Sequence, residues 1–307
     1  MESLEAEAIR LLRASLAPNT QVTYDRCIES FSRFLRCHNF SNAWPVSSRM
    51  VMAYMAYMSL KNSAPATISI HISAIAYAHK VNCWPDPTDC FVVKKMKEGY
   101  KRQNPRVDSR NPITYRLLCR LVDVLPSICS SDFEASLFKA AFLLSFFGLL
   151  RVGEFAAASR SSDTSLLISP SDISFMSEGL ELVIRHSKTD QRGETVSLFF
   201  ARASILSYCP VNAVAEYLNR RGSSVGPLFV HFNGTPLSRY QFSAILKKGV
   251  ILLGLAPSGF TPHSFRIGAA TSAAMCGLSD EEIQALGRWK SSAFKLYVRP
   301  HAFESML

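Results

Sequence analysis

Leu278-Ser279-Asp280-Glu281-Glu282-Ile283-Gln284-Ala285-Leu286-Gly287-Arg288-Trp289-Lys290-Ser291-Ser292-Ala293-Phe294-Lys295-Leu296-Tyr297-Val298-Arg299 is the stretch on which the reading of this chain turns. Ser279, with Glu282 three residues on, makes a capping box, in which hydroxyl and carboxylate each satisfy an amide that a helix start leaves open. Gly287 supplies a C-terminal stop. Ser291 or Ser292 is placed to cap a new helix, and that helix would bear Tyr297. Local structure is therefore well specified around the tyrosine. Taken alone, a tyrosine at such a place is more often a core or rim residue than a nucleophile, so its meaning depends on what the rest of the chain supplies.

Working backwards, Thr261-Pro262-His263-Ser264-Phe265-Arg266 starts a helix at Pro262 and puts His263 and Arg266 one turn apart on one face, where both can bond one anion. Further back, in Gly148-Leu149-Leu150-Arg151-Val152-Gly153-Glu154, an apolar helix supplies an arginine with a glutamate three residues on. Alone this reads as an ordinary intrahelical ion pair. Between these motifs, strand-like runs at 180–185 and 194–198 flank a polar turn that carries Lys188, which predicts a hairpin, with another short strand at 172–175. A turn lysine is usually just solvated.

The bulk composition bounds the partners. A chain of 307 residues predicts two domains. With 34 Lys+Arg against 24 Asp+Glu and a formal charge of +10, nucleic acid is the leading partner, ahead of acidic proteins and membrane surfaces. The eight cysteines (27, 37, 83, 90, 119, 129, 209 and 276) form no CxxC pair and no zinc-like cluster with histidine, and read as buried free thiols of a reducing compartment. The acidic start lacks the basic-then-apolar order of a secretory signal. Ala140 to Leu150, the longest apolar run, is a core helix rather than a span, because its 11 residues fall short of the roughly 20 a bilayer requires.

Residues 1–93 read as all-helical. Asn19 and Thr20 are good N-cap types before Tyr24, Ile28, Phe31 and Leu35; Met50 to Leu60 continues in that style; Pro65 opens a helix whose Ile68, Ile72, Ile75 and His79 share a face. Residues 94–111 hold Lys94, Lys95, Lys97, Lys101, Arg102, Arg106 and Arg110 against Glu98 and Asp108, with no helical or strand period after Gly99. That predicts a basic linker, either touching phosphates or merely tethering. Residues 112–307 then mix helices, at 114–125, 133–150 and after Pro210, with the three short strands. The expected fold is mainly α with a small antiparallel β-sheet: an all-helical N-terminal domain and an α+β C-terminal one.

The motifs together resemble the tyrosine recombinase (phage integrase) family, with its arginine and nearby acid, hairpin lysine, His-x-x-Arg, His/Trp slot and C-terminal tyrosine, in this order. The wording from Leu286 to Arg299 and from Pro262 to Thr271 looks closest to recombinases of eukaryotic DIRS/Ngaro and Crypton mobile elements. The resemblance is strong over residues 110–303, and residues 15–100 match only in general character, as the family's helical core-binding domain. It implies DNA strand cleavage and rejoining through a 3′-phosphotyrosine on Tyr297, independent of ATP, metal and other cofactors. Arg151, Arg266 and His263 would clamp the phosphate, Lys188 would act as general acid, and Glu154 would orient Arg151 or its neighbours. The slot nine residues before the tyrosine holds Arg288, and Trp289 stands at eight, so both are candidates. The resemblance also implies double-stranded DNA as partner, Lys94, Lys95, Lys97, Lys101 and Arg102 as DNA contacts, a homo-tetramer on DNA, no membrane, and the nucleus as location. The alternatives are a type IB topoisomerase, a domesticated DNA-binding protein without catalysis, and a helical adaptor for acidic proteins.

Overall fold

A computed structural model describes residues 2–106, 108–159, 162–186, 195–222 and 225–300. The chain divides into two compact units, Met1–Asp108 and Ser109–Leu307.

The first unit is all-helical, as expected: α1 Glu2–Ala14, α2 Pro18–Cys37, α3 Ser48–Leu60, α4 Pro65–Val81 and α5 Phe91–Gln103. Pro18, not Asn19 or Thr20, opens α2, with Ala17 at the cap; proline's fixed φ is already helical there and it has no amide to leave unsatisfied. Ile68, Ile72, Ile75 and His79 of α4 are all buried, and with Phe31, Leu35, Val51 and Tyr54 they surround one core, His79 lying at its edge. His79 is a structural histidine. Its Nε2 accepts the Val46 amide at 3.3 Å and its Nδ1 meets Pro85 O at 2.7 Å, so both ring nitrogens are used.

The basic run corrects the linker expectation. Lys94, Lys95, Lys97, Lys101 and Arg102 ride on α5, a helix of the first unit, and the boundary between units falls after Asp108. Val93 is buried, Met96 and Tyr100 pack on the core, and the Tyr100 hydroxyl donates to Ser63 O at 2.7 Å. These three positions, at i, i+3 and i+7, are the whole apolar stripe; cations on the other faces hid the period. The cations are exposed, with Lys94 paired to Asp89 (2.7 Å) and Lys95 to Glu98 (2.8 Å).

The second unit comprises α6 Tyr115–Asp123, α7 Leu125–Ile128, α8 Asp132–Phe147, α9 Val152–Phe155, β1 Ile173–Phe175, β2 Gly179–Ile184, β3 Val196–Ala201, α10 Pro210–Arg221, α11 Arg239–Leu252, α12 His263–Met275 and α13 Asp280–Leu286. The sheet is antiparallel in the order β1-β2-β3, with Ile173 opposite Leu182 and Ile184 opposite Val196. Leu180, Leu182 and Ile184 alternate into the core with Phe200 from β3. α8, apolar nearly all round, is the buried centre of this unit and packs on α10 and α12. It ends at Phe147, three residues before the predicted end. The predicted hairpin is present, but its turn at 187–194, including Lys188, lies outside the described residues.

All eight cysteines are free, yet only Cys27 and Cys209 are buried. Cys37, Cys83 and Cys276 are exposed because they stand where helices α2, α4 and α12 run out into turns. Among the described residues, no helix is long and apolar enough to cross a membrane.

Candidate active site

Two helix ends build the site. α8 stops at Gly148, and Leu149 turns into the left-handed region at φ 44°. Leu149 N–H donates to Phe146 O and Leu150 N–H to Ser145 O, both at 3.2 Å, the paired bonds of a Schellman ending. α13 ends identically: Arg288 takes φ 56°, its amide donates to Ala285 O and that of Trp289 to Gln284 O, each at 3.0 Å. In both endings the glycine stands one residue early, so a leucine and an arginine carry the left-handed backbone that glycine would adopt freely. At Gly287 the requirement is spatial, since a Cβ there would fall 1.5 Å from the Trp289 ring.

These endings aim two carbonyls at one arginine. Arg266, fully buried on α12, donates through Nη1 to Leu149 O and through Nη2 to Gly287 O at 3.0 Å. Carbonyls at helix C-termini carry partial negative charge and so hold a guanidinium without neutralising it. Arg288 reaches the same Leu149 O through Nη2 at 3.2 Å.

Arg151 and Glu154 do not share a helix face as expected. Arg151 is the N-cap of the single turn α9, and the Glu154 carboxylate folds back to accept its amide at 2.9 Å and its Nη1 at 3.3 Å. The same carboxylate takes Arg288 Nη1 at 3.3 Å and Nη2 at 3.0 Å. Glu154 is buried, so one carboxylate serves two guanidiniums in a poorly solvated place. Burial, and then repulsion from Arg151 and Arg288, push the Arg266 guanidinium down to about 10, against the pull of Glu154 and Tyr297. It stays charged at neutral pH. Burial also lowers Arg288, with Glu154 opposing. Three arginines around one carboxylate leave an excess positive charge, the condition for gripping an anion. Among the described residues, the buried Nε of Arg266 and of Arg288 meet no acceptor.

The tyrosine stands at this charge. Tyr297 Oη lies 2.7 Å from His263 Nε2, the first residue of α12. The Trp289 ring is 4.9 Å from the Tyr297 ring, and the Arg266 guanidinium lies 4.7 Å from the Trp289 centroid and 5.7 Å from that of Tyr297. Arg151, Glu154, His263, Arg266, Arg288, Trp289 and Tyr297 are thus brought together. Tyr297 is not on a helix, however. Ser291 caps a 3-10 turn, Ser292–Leu296, with Tyr297 at its far end and Pro300 soon after, too short a stretch for an α-helix to settle. Of the two slot candidates, Trp289 lies against Tyr297 and Arg266 while Arg288 turns to Glu154. Reading the residues alone missed the Leu149 and Gly287 carbonyls and the Arg288 to Glu154 pair; a glycine at each helix stop was the available signal for the first two.

Residues 168–301 match the model of the phage integrase family. An integrase/recombinase described as a xerD homolog from Selenomonas ruminantium is 27% identical over 301 residues, spanning 94% of this chain and 84% of the relative. Among solved structures, the Tn1549 transposon integrase in complex with transposon right end DNA aligns with TM-score 0.63 at 15% identity, covering 98% of this chain and 95% of that one. A lambda integrase dimer bound to a COC' core site aligns at 0.59 and 15% identity, covering 95% and 96%. XerH bound to difH substrate, before cleavage, aligns at 0.58 and 13% identity, covering 91% and 75%. At such identities these likenesses establish the fold, mainly helical with a small antiparallel sheet.

Proposed function

We propose that this chain is a tyrosine-type DNA recombinase that breaks and rejoins double-stranded DNA through a phosphotyrosine on Tyr297. The observation that carries the reading is the phenol held at His263 Nε2 beside the guanidinium of Arg266. A phosphodiester repels nucleophiles, and its transition state gathers charge on the non-bridging oxygens, where guanidinium forks act best. Arg151 and Arg266 supply the forks. Tyr297 Oη bonds to phosphorus as the bond to O5′ breaks; the phenol proton passes to the nitrogen it already touches, and Lys188 delivers a proton to the departing 5′ oxygen. The phosphotyrosine conserves the bond, so a partner strand's 5′ hydroxyl reverses the step without ATP, and guanidinium charge does the neutralising that a metal would otherwise do. Glu154 and Arg288 hold Arg151 and the Leu149 carbonyl in place, and Trp289 buttresses the tyrosine.

Kinship with the xerD homolog and fold likeness to integrases solved with DNA favour recombination over a topoisomerase or a silent DNA-binding protein. The cations of α5 are the DNA-backbone contacts of the first unit in this reading, and the active species is a tetramer on DNA. The wording from Leu286 to Arg299 supports a place among eukaryotic mobile elements, and hence nuclear residence. Incubation with nicked duplex DNA followed by denaturing electrophoresis tests the function: a protein-linked DNA band, persisting in excess EDTA, is expected. Loss of the band with recovery on added magnesium would sink the metal-free mechanism.

A further inference from the structure

Thr271 lies on α12, two turns beyond His263, and is fully buried. Its hydroxyl is 2.7 Å from Ile267 O and 3.0 Å from Tyr297 O, and it accepts the Arg299 amide at 3.1 Å. A hydroxyl has one proton and two lone pairs, so the proton is shared between the carbonyls of its own helix and of the tyrosine, while a lone pair takes the Arg299 N–H. A buried threonine needs only the first of these bonds, the back-bond to its own helix. The other two reach across to the segment that bears the nucleophile.

α12 is an unyielding anchor for such a pin. Its Gly268 lies so close to the chain at Ile113 that a Cβ would fall 1.8 Å from Ile113 O, and Ile113 N–H donates to Ser264 O at 3.0 Å. The short 3-10 turn before Tyr297 offers little rigidity of its own, and the tyrosine is held instead at two points of one helix: Oη at His263, main chain at Thr271. On the same segment, Arg299 Nη1 donates to Arg110 O at 2.8 Å.

We propose that Thr271 is the positioning residue for the nucleophile, its hydroxyl pinning the main chain at Tyr297 and Arg299 to the helix that carries His263 and Arg266. The inference rests on the recombinase reading, and it touches neither DNA nor the reacting atoms. Thr271→Val keeps shape and burial but removes the donor and the acceptor; Thr271→Ser keeps the hydroxyl.

Two measurements on the full chain test it: amide hydrogen exchange at Arg299 without DNA, and single-turnover cleavage of a nicked duplex taken from the DNA flanking the gene. In Thr271→Val the Arg299 amide should lose protection and cleavage should slow roughly 10- to 100-fold, the scale on which misplacing a reacting group acts, with DNA affinity held within about twofold. Thr271→Ser should restore both. Unchanged exchange at Arg299, wild-type cleavage by Thr271→Val, or a serine variant as slow as the valine one would each overturn the positioning role. A wild-type chain that forms no covalent product overturns the recombinase reading and the role with it, while the exchange result still reports on the pin itself.

Discussion

The guanidiniums around Tyr297 and the cations of α5 are the same kinds of charge in opposite settings. Arg266 and Arg288 are buried, each held by backbone carbonyls or by Glu154, in orientations fixed before any anion arrives. Lys94, Lys95, Lys97, Lys101 and Arg102 are exposed along a helix whose far side is a core stripe, with partners that solvent screens. Preorganised cations in a dry site lower a barrier; solvated cations contribute affinity that salt removes.

The contrast ranks the expected effects. Arg266→Lys should be the most damaging change short of removing the tyrosine. A lysine point charge cannot span the Leu149 and Gly287 carbonyls and still present a fork, so cleavage should fall on the order of 10²- to 10³-fold, as when a preorganised donor is lost. Single-turnover kinetics checks this, and a lysine variant within tenfold of wild type would break the buried side of the comparison. Glu154→Ala comes next. Removing one carboxylate from two guanidiniums should cost about 3 kcal/mol of stability, the usual scale for orphaning a buried ion pair, as read by urea unfolding. Loss of cleavage with no loss of stability would show that Glu154 acts in the chemistry alone.

Trp289→Ala should slow cleavage more than Arg288→Ala, because the indole lies against Tyr297 and Arg266, whereas Arg288 faces Glu154 and Leu149 O. A larger rate loss in Arg288→Ala at equal thermal stability would reverse that order. Replacing Lys94, Lys95, Lys97, Lys101 and Arg102 with Gln should leave the chemical step alone and only flatten the salt dependence of DNA binding, by about 0.9 in slope for each phosphate that is no longer neutralised. An unchanged slope would mean that α5 does not touch DNA.

What could be read beforehand follows the same divide between local and distant. The start of α12 at Pro262, the Ser279 and Glu282 capping box, the buried face of α4 and the first hairpin strand depend on neighbours in sequence and appear close to where the residues place them, whereas the second hairpin strand runs Val196–Ala201 rather than 194–198. α5 was misread because three apolar positions among many cations carry a weak period. The clustering of Arg151, His263, Arg266 and Tyr297 followed from family resemblance, not from local pattern. The pairing of Arg288 with Glu154, 134 residues apart, depends on two left-handed helix endings at Leu149 and Arg288, where nothing in a leucine or an arginine announces positive φ. Tyr297 off the helix, and Thr271 behind it, belong to the same class of tertiary fact.

The central claim is that Tyr297 is the nucleophile, and covalent capture tests it most directly. Incubated with a nicked duplex, denatured, and digested with protease and nuclease, the wild-type chain should yield one peptide carrying a nucleotide through a phosphodiester on Tyr297, found by tandem mass spectrometry. Tyr297→Phe should yield none while binding the same DNA nearly as well, since the hydroxyl serves the chemistry and the arginines serve the binding. A nucleotide adduct on any other residue, or a covalent band surviving in Tyr297→Phe, would contradict the account.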